Sequence, residues 1–229
     1  SDGSGIWVQV VNPFNLNEGV DDVRVNTTTA GDQKNPRITA TPSGAFVVSW
    51  QGPDGDGNGV FYRLFDAQGQ PIGPERQTNT IASGDQDSPS MSIGDDGTFT
   101  IVWRSTTPLP VPLFPNTFFA DFERPAGFTE GSPIFIHGRT FSGPGSESGT
   151  GFGMGGPLPP DTPFLINASG DNVRNPAIAA KRDGDFTVVW ENVDQNNVSS
   201  IVGRQFIVPL FVDGFETGDT SVWSSTVQQ

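Results

Sequence analysis

Three stretches of this 229-residue chain share one fixed spacing. Pro36, Gly44, Phe46 and Trp50 recur as Pro89, Gly97, Phe99 and Trp103, and again as Pro176, Gly184, Phe186 and Trp190. In every copy Gly follows Pro by eight residues, Phe by ten and Trp by fourteen. Self-similarity of this kind confines a chain to repeat architectures, in which each unit buries its apolar face against its neighbours. Phe46, Val48 and Trp50 alternate with their neighbours, the two-residue period of a strand with one buried face. Ile38 and Ala40 continue the alternation ahead of a turn at Ser43-Gly44, so each stretch reads as a β-hairpin.

A second unit follows each hairpin. Gly59-Val60-Phe61-Tyr62-Arg63-Leu64-Phe65 is matched by Phe135-Ile136-His137-Gly138-Arg139-Thr140-Phe141 and by Ile201-Val202-Gly203-Arg204-Gln205-Phe206. The opening Gly5-Ile6-Trp7-Val8-Gln9 aligns with the same unit, with Gln9 in place of Arg. A short fourth strand then ends in Asn, at Val25-Asn26, Thr78-Asn79 and Ile166-Asn167. Four short strands in the 53 residues from Trp50 to Trp103 predict an all-β, β-propeller-like array of four-stranded antiparallel repeats. The expected boundaries are a partial repeat at 1–30, repeats at 31–82 and 83–168, and a partial repeat at 169–206. Together these form a β-repeat domain over 1–206, followed by a tail strand in 207–229.

The array is incomplete at both ends, which leaves two ways to finish it. Either the termini complete one blade within the molecule, or partial blades complete each other between molecules. Contacts of the second kind that do not close give filaments. Two insertions interrupt the third copy. That at 104–133 is dense in Pro and Phe, including Phe114, Phe118, Phe119 and Phe122, and reads either as a satellite core or as a partner interface. That at 143–160 is rich in Gly, Ser and Pro and reads as a surface loop.

Charge narrows the partners. The chain has 26 acidic and 12 basic residues, a net charge of −14, and its only lysines are Lys34 and Lys181. Nucleic acid and anionic membranes both require clustered cations, so neither is expected as a partner. No run approaches the length of about 18 apolar residues that marks a membrane-spanning helix. Cysteine is absent, which fits a bacterial exported protein or a cytosolic one. No leader-like segment is present, so an exported protein is read here as its mature form or as a fragment.

Asp54-Gly55-Asp56-Gly57-Asn58 places oxygen donors at alternate positions with a turn glycine after each Asp, the opening of a calcium loop. Asp54, Asp56 and Asn58 are therefore candidate Ca2+ ligands. The twelfth position holds Phe65 instead of Glu, so the loop is no EF-hand, and Asp-Gly runs also make ordinary hairpin turns. Catalytic candidates are few. The single histidine, His137, lies in a strand, and acid pairs such as Asp95-Asp96 fall at hairpin turns where Asp is expected anyway. No catalytic residue is assigned, and the expectation is a protein without enzymatic activity. Arg63, Arg139 and Arg204 each precede a Phe by two positions and share one structural role, for which the simplest partner is a turn Asp.

The run from Trp50 through Asp54-Gly55, Val60-Phe61-Tyr62-Arg63 and Phe65-Asp66-Ala67 to Asn79, with Gly84-Asp85-Gln86, resembles the tandem repeats of large secreted bacterial surface proteins and adhesins. The segment Phe211-Val212-Asp213-Gly214-Phe215-Glu216-Thr217-Gly218 is similar to a C-terminal segment of exported proteobacterial proteins. This resemblance implies an extracellular or cell-surface setting in a bacterium. The resulting expectation is a structural or adhesion protein that associates with itself head to tail, into filaments, by strand or half-blade complementation. Trp7, Phe114, Phe118, Phe119, Phe122, Phe211 and Phe215 are the expected contacts. The alternative is a calcium-dependent carbohydrate-binding module for surface glycans. Trp50, Trp103 and Trp190 sit at core-like positions, which leaves Trp7 and Trp223 as its platforms.

Overall fold

The structure, a computed structural model, describes residues 3–11, 14, 21–95, 97–109, 134–141, 163–167, 172–181, 185–194 and 196–206. The strands are β1 (Trp7–Val8), β2 (Val23–Arg24), β3 (Lys34–Ala40), β4 (Phe46–Pro53), β5 (Asn58–Phe65), β6 (Arg76–Gln77) and β7 (Gln86–Ile93). They continue with β8 (Phe99–Ser105), β9 (Phe135–Phe141), β10 (Phe164–Leu165), β11 (Asn172–Ala180), β12 (Phe186–Val193) and β13 (Ser199–Phe206). Every pairing is antiparallel and joins strands in chain order: β1-β2, β3-β4-β5-β6, β7-β8-β9-β10 and β11-β12-β13. This is the expected propeller-like array, with two four-stranded sheets flanked by a two-stranded and a three-stranded one.

The sheets stack face to face because β4 and β8 are buried on both sides, while β12 buries one. Phe46, Val48 and Trp50 of β4 pack back onto Ile6 and Val25 of the first sheet. Val47 points forward, joining Val60 and Tyr62 against Met91, Phe99, Ile101 and Trp103 of the third. Val102 repeats the step, meeting Val173, Phe186, Val188 and Trp190 of the last. Trp50, Trp103 and Trp190 are all buried, as their alternation predicts. The recurrent Phe of the second strand stacks on its cross-strand Phe in each sheet. Ring centroids are 5.0 Å apart for Phe46–Phe65, 5.0 Å for Phe99–Phe141 and 4.7 Å for Phe186–Phe206.

Two polar devices repeat with the sheets. The first closes the short fourth strand. Asn26, Asn79 and Asn167 accept, through Oδ1, the main-chain N–H of Ile6 (2.8 Å), Val60 (2.9 Å) and Ile136 (2.6 Å). The residue before each Asn donates to the carbonyl of the same partner, at 2.9, 2.7 and 2.8 Å. The second device ties one sheet to the previous one. Arg63 Nη1 donates to Val25 O at 3.1 Å, Arg139 Nη1 to Thr78 O at 2.8 Å, and Arg204 Nη1 to Ile166 O at 3.1 Å. Each guanidinium also lies over the Phe two residues later in its own strand. The expected turn-Asp partner is thus corrected. These arginines sit mid-strand, so a carbonyl of the adjacent sheet is within reach and a turn carboxylate at the strand end is not.

Arg63 also donates through Nε to Gly73 O at 2.9 Å, so its loss strands several part-buried carbonyls. Arg63→Ala is expected to cost about 2 kcal/mol, the scale of a hydrogen bond from a charged group. For a chain of this size the melting temperature then falls by roughly 4–8 °C. Thermal and urea unfolding of the variant check this, and an unchanged midpoint would contradict the role.

Candidate functional site

The innermost strands β3, β7 and β11 each break register at the same place. The pairing skips between Lys34 and Arg37, between Asp87 and Ser90, and between Arg174 and Ala177. At each skip one residue adopts positive φ: Asn35 (53°), Ser88 (53°) and Asn175 (50°). Each stands directly before Pro, which removes a ladder donor and restricts the residue ahead of it. Left-handed backbone is costly for most side chains and least so for short polar ones, which accounts for Asn and Ser here. A bulge of this kind re-aims side chains. Here it brings a polar pair, Lys34 and Asn35, Asp87 and Ser88, or Arg174 and Asn175, opposite the residue that follows each Trp.

Those opposite residues are Gln51, Arg104 and Glu191, in register with Lys34, Asp87 and Arg174. Gln51 Oε1 accepts from Asn35 Nδ2 at 2.7 Å and from the Ser88 N–H at 3.1 Å, linking β4 to both bulges. Arg104 holds Asp87 with two nitrogens, Nε at 2.7 Å from Oδ1 and Nη2 in an ion pair with Oδ2. The Asp87 hydrogen bond raises the Arg104 pKa further, so the guanidinium stays charged. Glu191 accepts from Asn175 Nδ2 at 3.2 Å and from Ser199 Oγ at 2.6 Å. Beside the first bulge, Lys34 pairs with Asp32 at 2.8 Å. That contact and the Ser4 donors hold the exposed Asp32 carboxyl down at about 2. Since β7 packs against both β3 and β11, these side chains form one polar rim. The sequence carries a signal for it that single-residue reasoning passes over: a polar pair before the repeat Pro and a polar residue after the repeat Trp.

Of the calcium candidates, Asp54 and Asp56 lie in the turn between β4 and β5 and Asn58 opens β5; N–H groups already meet oxygens of both aspartates. Asp54 Oδ2 accepts from Gln77 Nε2 at 2.9 Å and from Asn79 Nδ2 at 3.3 Å. Asp56 Oδ2 accepts from the Gly84 N–H at 3.4 Å, while Asn58 donates through its N–H and Nδ2 to Asp85 Oδ1, both at 3.0 Å. Among the described residues no group of three or more acidic or histidine side chains converges. Trp7 is 57% exposed, with the Arg24 guanidinium 5.6 Å from its ring. Phe114, Phe118, Phe119, Phe122, Phe211, Phe215 and Trp223 lie outside the described residues.

His137 takes, in the third sheet, the place that Phe61 holds in the second. It is 2% exposed, its ring 5.8 Å from that of Trp103. Among the described residues, neither His137 Nε2 nor Trp103 Nε1 has a hydrogen-bond partner. In the second sheet the equivalent Trp50 Nε1 donates to Gln33 Oε1 at 3.0 Å. Gln86 occupies the Gln33 position in the third, but its Oε1 accepts from Asn79 at 2.8 Å instead. Burial alone pushes the His137 pKa down to about 4.

No protein-family model matches the chain, and no curated protein matches it. Among solved structures it is similar to an endo-arabinase from Bacteroides thetaiotaomicron VPI-5482, at 11% identity and a TM-score of 0.45, covering 80% of this chain and 59% of that one. It is also similar to the GH43 endo-arabinanase from Bacillus licheniformis, at 16% identity and a TM-score of 0.42, covering 90% and 66%. This chain therefore spans less than two thirds of either neighbour's length. At such identities the likeness concerns fold and assigns no residue a role. Two expectations are corrected by it: a non-enzymatic structural or adhesion protein self-associating into filaments, and the absence of enzymatic activity. These two solved structures are an endo-arabinase and an endo-arabinanase, which are enzymes.

Histidine burial sets a pH dependence of definite sign. An exposed histidine titrates at 6.5 and His137 at about 4, so between these values the unfolded chain binds more protons than the folded one. The stability associated with neutral His137 is complete above about pH 6.5 and declines as pH falls towards 4, by at most roughly 3 kcal/mol. His137→Phe, which copies the second sheet, is expected to flatten this part of the profile. Melting temperatures from pH 7 to 4.5 compare the two proteins, and parallel profiles would refute the assignment.

Proposed function

We propose that this chain binds carbohydrate at the polar rim of β3, β7 and β11. The observation that carries the reading is the ordered run of planar groups there: the Asn35–Gln51–Ser88 amide contact, the Arg104–Asp87 fork and the Asn175–Glu191 pair. A sugar hydroxyl both donates and accepts, so it is best met by neighbouring guanidinium, carboxamide and carboxylate groups. Because these side chains already hold one another, little rotamer freedom is lost when a ligand arrives. Gln51, Asp87, Ser88, Arg104 and Glu191 are half-buried, while Lys34, Asn35, Arg174 and Asn175 are exposed, so the rim is open to a ligand. An acidic, lysine-poor protein is also suited to a neutral polymer.

Two subsidiary points belong to the same proposal. A bacterial extracellular setting is supported by the exported-type segment at Phe211–Gly218. Calcium at Asp54, Asp56 and Asn58 would brace the β4–β5 turn beside the rim. EDTA lowers the melting temperature if a cation sits there, and leaves it unchanged if the amide contacts alone hold the turn.

The test is titration of the monodisperse protein with soluble polysaccharides, arabinan among them, with release of reducing ends followed in parallel. Saturable binding is expected. Arg104→Ala should weaken it about tenfold or more, equivalent to ~1.4 kcal/mol. Arg174→Ala, an exposed change that leaves the Arg104–Asp87 fork intact, should weaken it less. Absence of binding across the panel, or binding unaffected by both variants, overturns the proposal.

A further inference from the structure

The bulges of β3, β7 and β11 form one continuous surface. Gln51 Oε1 accepts from Asn35 Nδ2 at the β3 bulge (2.7 Å) and from the Ser88 N–H at the β7 bulge (3.1 Å), so polar atoms of the two bulges lie within about 6 Å of each other. That separation is comparable to the width of one sugar ring. β7 packs in turn against β11, which puts the second bulge between the first and the third. Exposure changes along the line: Lys34 and Asn35 are exposed, Asp87 and Ser88 are half-buried, and Arg174 and Asn175 are exposed again. The rim is therefore deepest at its centre and runs out to solvent at both ends. Sheets packed face to face stand about 10 Å apart, so the three bulges extend over up to roughly 20 Å, farther than a single sugar unit reaches.

We infer, on the reading that the rim binds carbohydrate, that its ligand is an internal stretch of a polysaccharide laid across all three bulges, with successive units at β3, β7 and β11. A site for a free sugar has another form, a concavity that encloses most of its ligand. Here the two outer positions are the exposed ones, so a chain can enter at one and leave at the other. The three positions offer unlike chemistry to successive units. The first presents the carboxamides of Asn35 and Gln51, the second the Arg104–Asp87 fork, and the third the Glu191 carboxylate with Asn175. An unlike series reads the ligand in one direction, which a single pocket does not. Once one unit is seated, the next binds from a tethered position, so affinity rises with ligand length until the three bulges are filled.

The test titrates the full chain calorimetrically with arabino-, xylo- and cello-oligosaccharides of one to about six units. In the series that binds, affinity should climb about tenfold or more from the single unit and then level off once the rim is spanned. Lys34→Ala and Arg174→Ala alter exposed residues at opposite ends of the rim, and circular dichroism checks that both variants fold. The loss caused by each should grow with ligand length, because only a long ligand reaches both ends. No saturable binding in any series removes the carbohydrate reading itself, and this inference with it. Binding as tight for one unit as for the longest oligosaccharide, or a loss from either variant that is the same at every length, overturns the inference alone and leaves the rim as a site for a single sugar.

Discussion

Among the described residues, the one bond that recurs from each sheet to the sheet before it is made by a side chain that reaches across. That side chain is the repeated arginine. Val25, Thr78 and Ile166 present a carbonyl at the end of a short fourth strand, and Arg63, Arg139 and Arg204 of the following sheet donate to it. Apolar burial alone would let stacked sheets slide, because contact between Val47 and Ile101 is nearly indifferent to a small translation. A guanidinium held over a Phe ring and aimed at one carbonyl is not indifferent. It fixes height and rotation together, and the aromatic and aliphatic contacts then pack in one register.

The same geometry places the rim. Each inner strand must pass close to its neighbours, and each is bent by a left-handed residue before Pro at the same depth. Three blades aligned by their arginines therefore present three bulges at one level. Their chemistry differs: a neutral amide contact in the first, an ion pair in the second, a carboxylate with amide and hydroxyl donors in the third. The scaffold positions repeat, and the rim residues diverge at those positions. A surface that recognises an irregular ligand needs that combination, whereas a purely structural lattice does not.

Much of the architecture was legible because its causes are periodic. The Pro–Gly–Phe–Trp spacing revealed the hairpins, and alternation within them revealed which face is buried. The terminal Asn of each fourth strand was visible as a recurrence, although its bond to the third-strand N–H needs the register to be known. The arginine partner was misjudged because sequence offers carboxylates as obvious mates and hides carbonyls altogether. The rim escaped for a related reason. Lys34, Asp87 and Arg174 share a position but no charge, so a search for repeated residue types passes over them, and only the bulge shows that they belong together. Calcium at Asp54, Asp56 and Asn58 was suggested by spacing; the register adds that Gln77 and Asn79 donate to Asp54 and the Gly84 N–H to Asp56. The expectation of a non-enzymatic, filament-forming protein rested on likeness among repeats, and a repeat shared by many proteins is a poor guide to what any one of them does.

The arginine contact also has a direction. Its acceptor always belongs to the earlier sheet and its donor to the later one, at all three junctions. A chain leaving the ribosome amino end first therefore completes each carbonyl before the guanidinium that needs it has been made. Every new sheet is synthesised onto a finished template and never has to wait for one. The repeat thus carries its own assembly order.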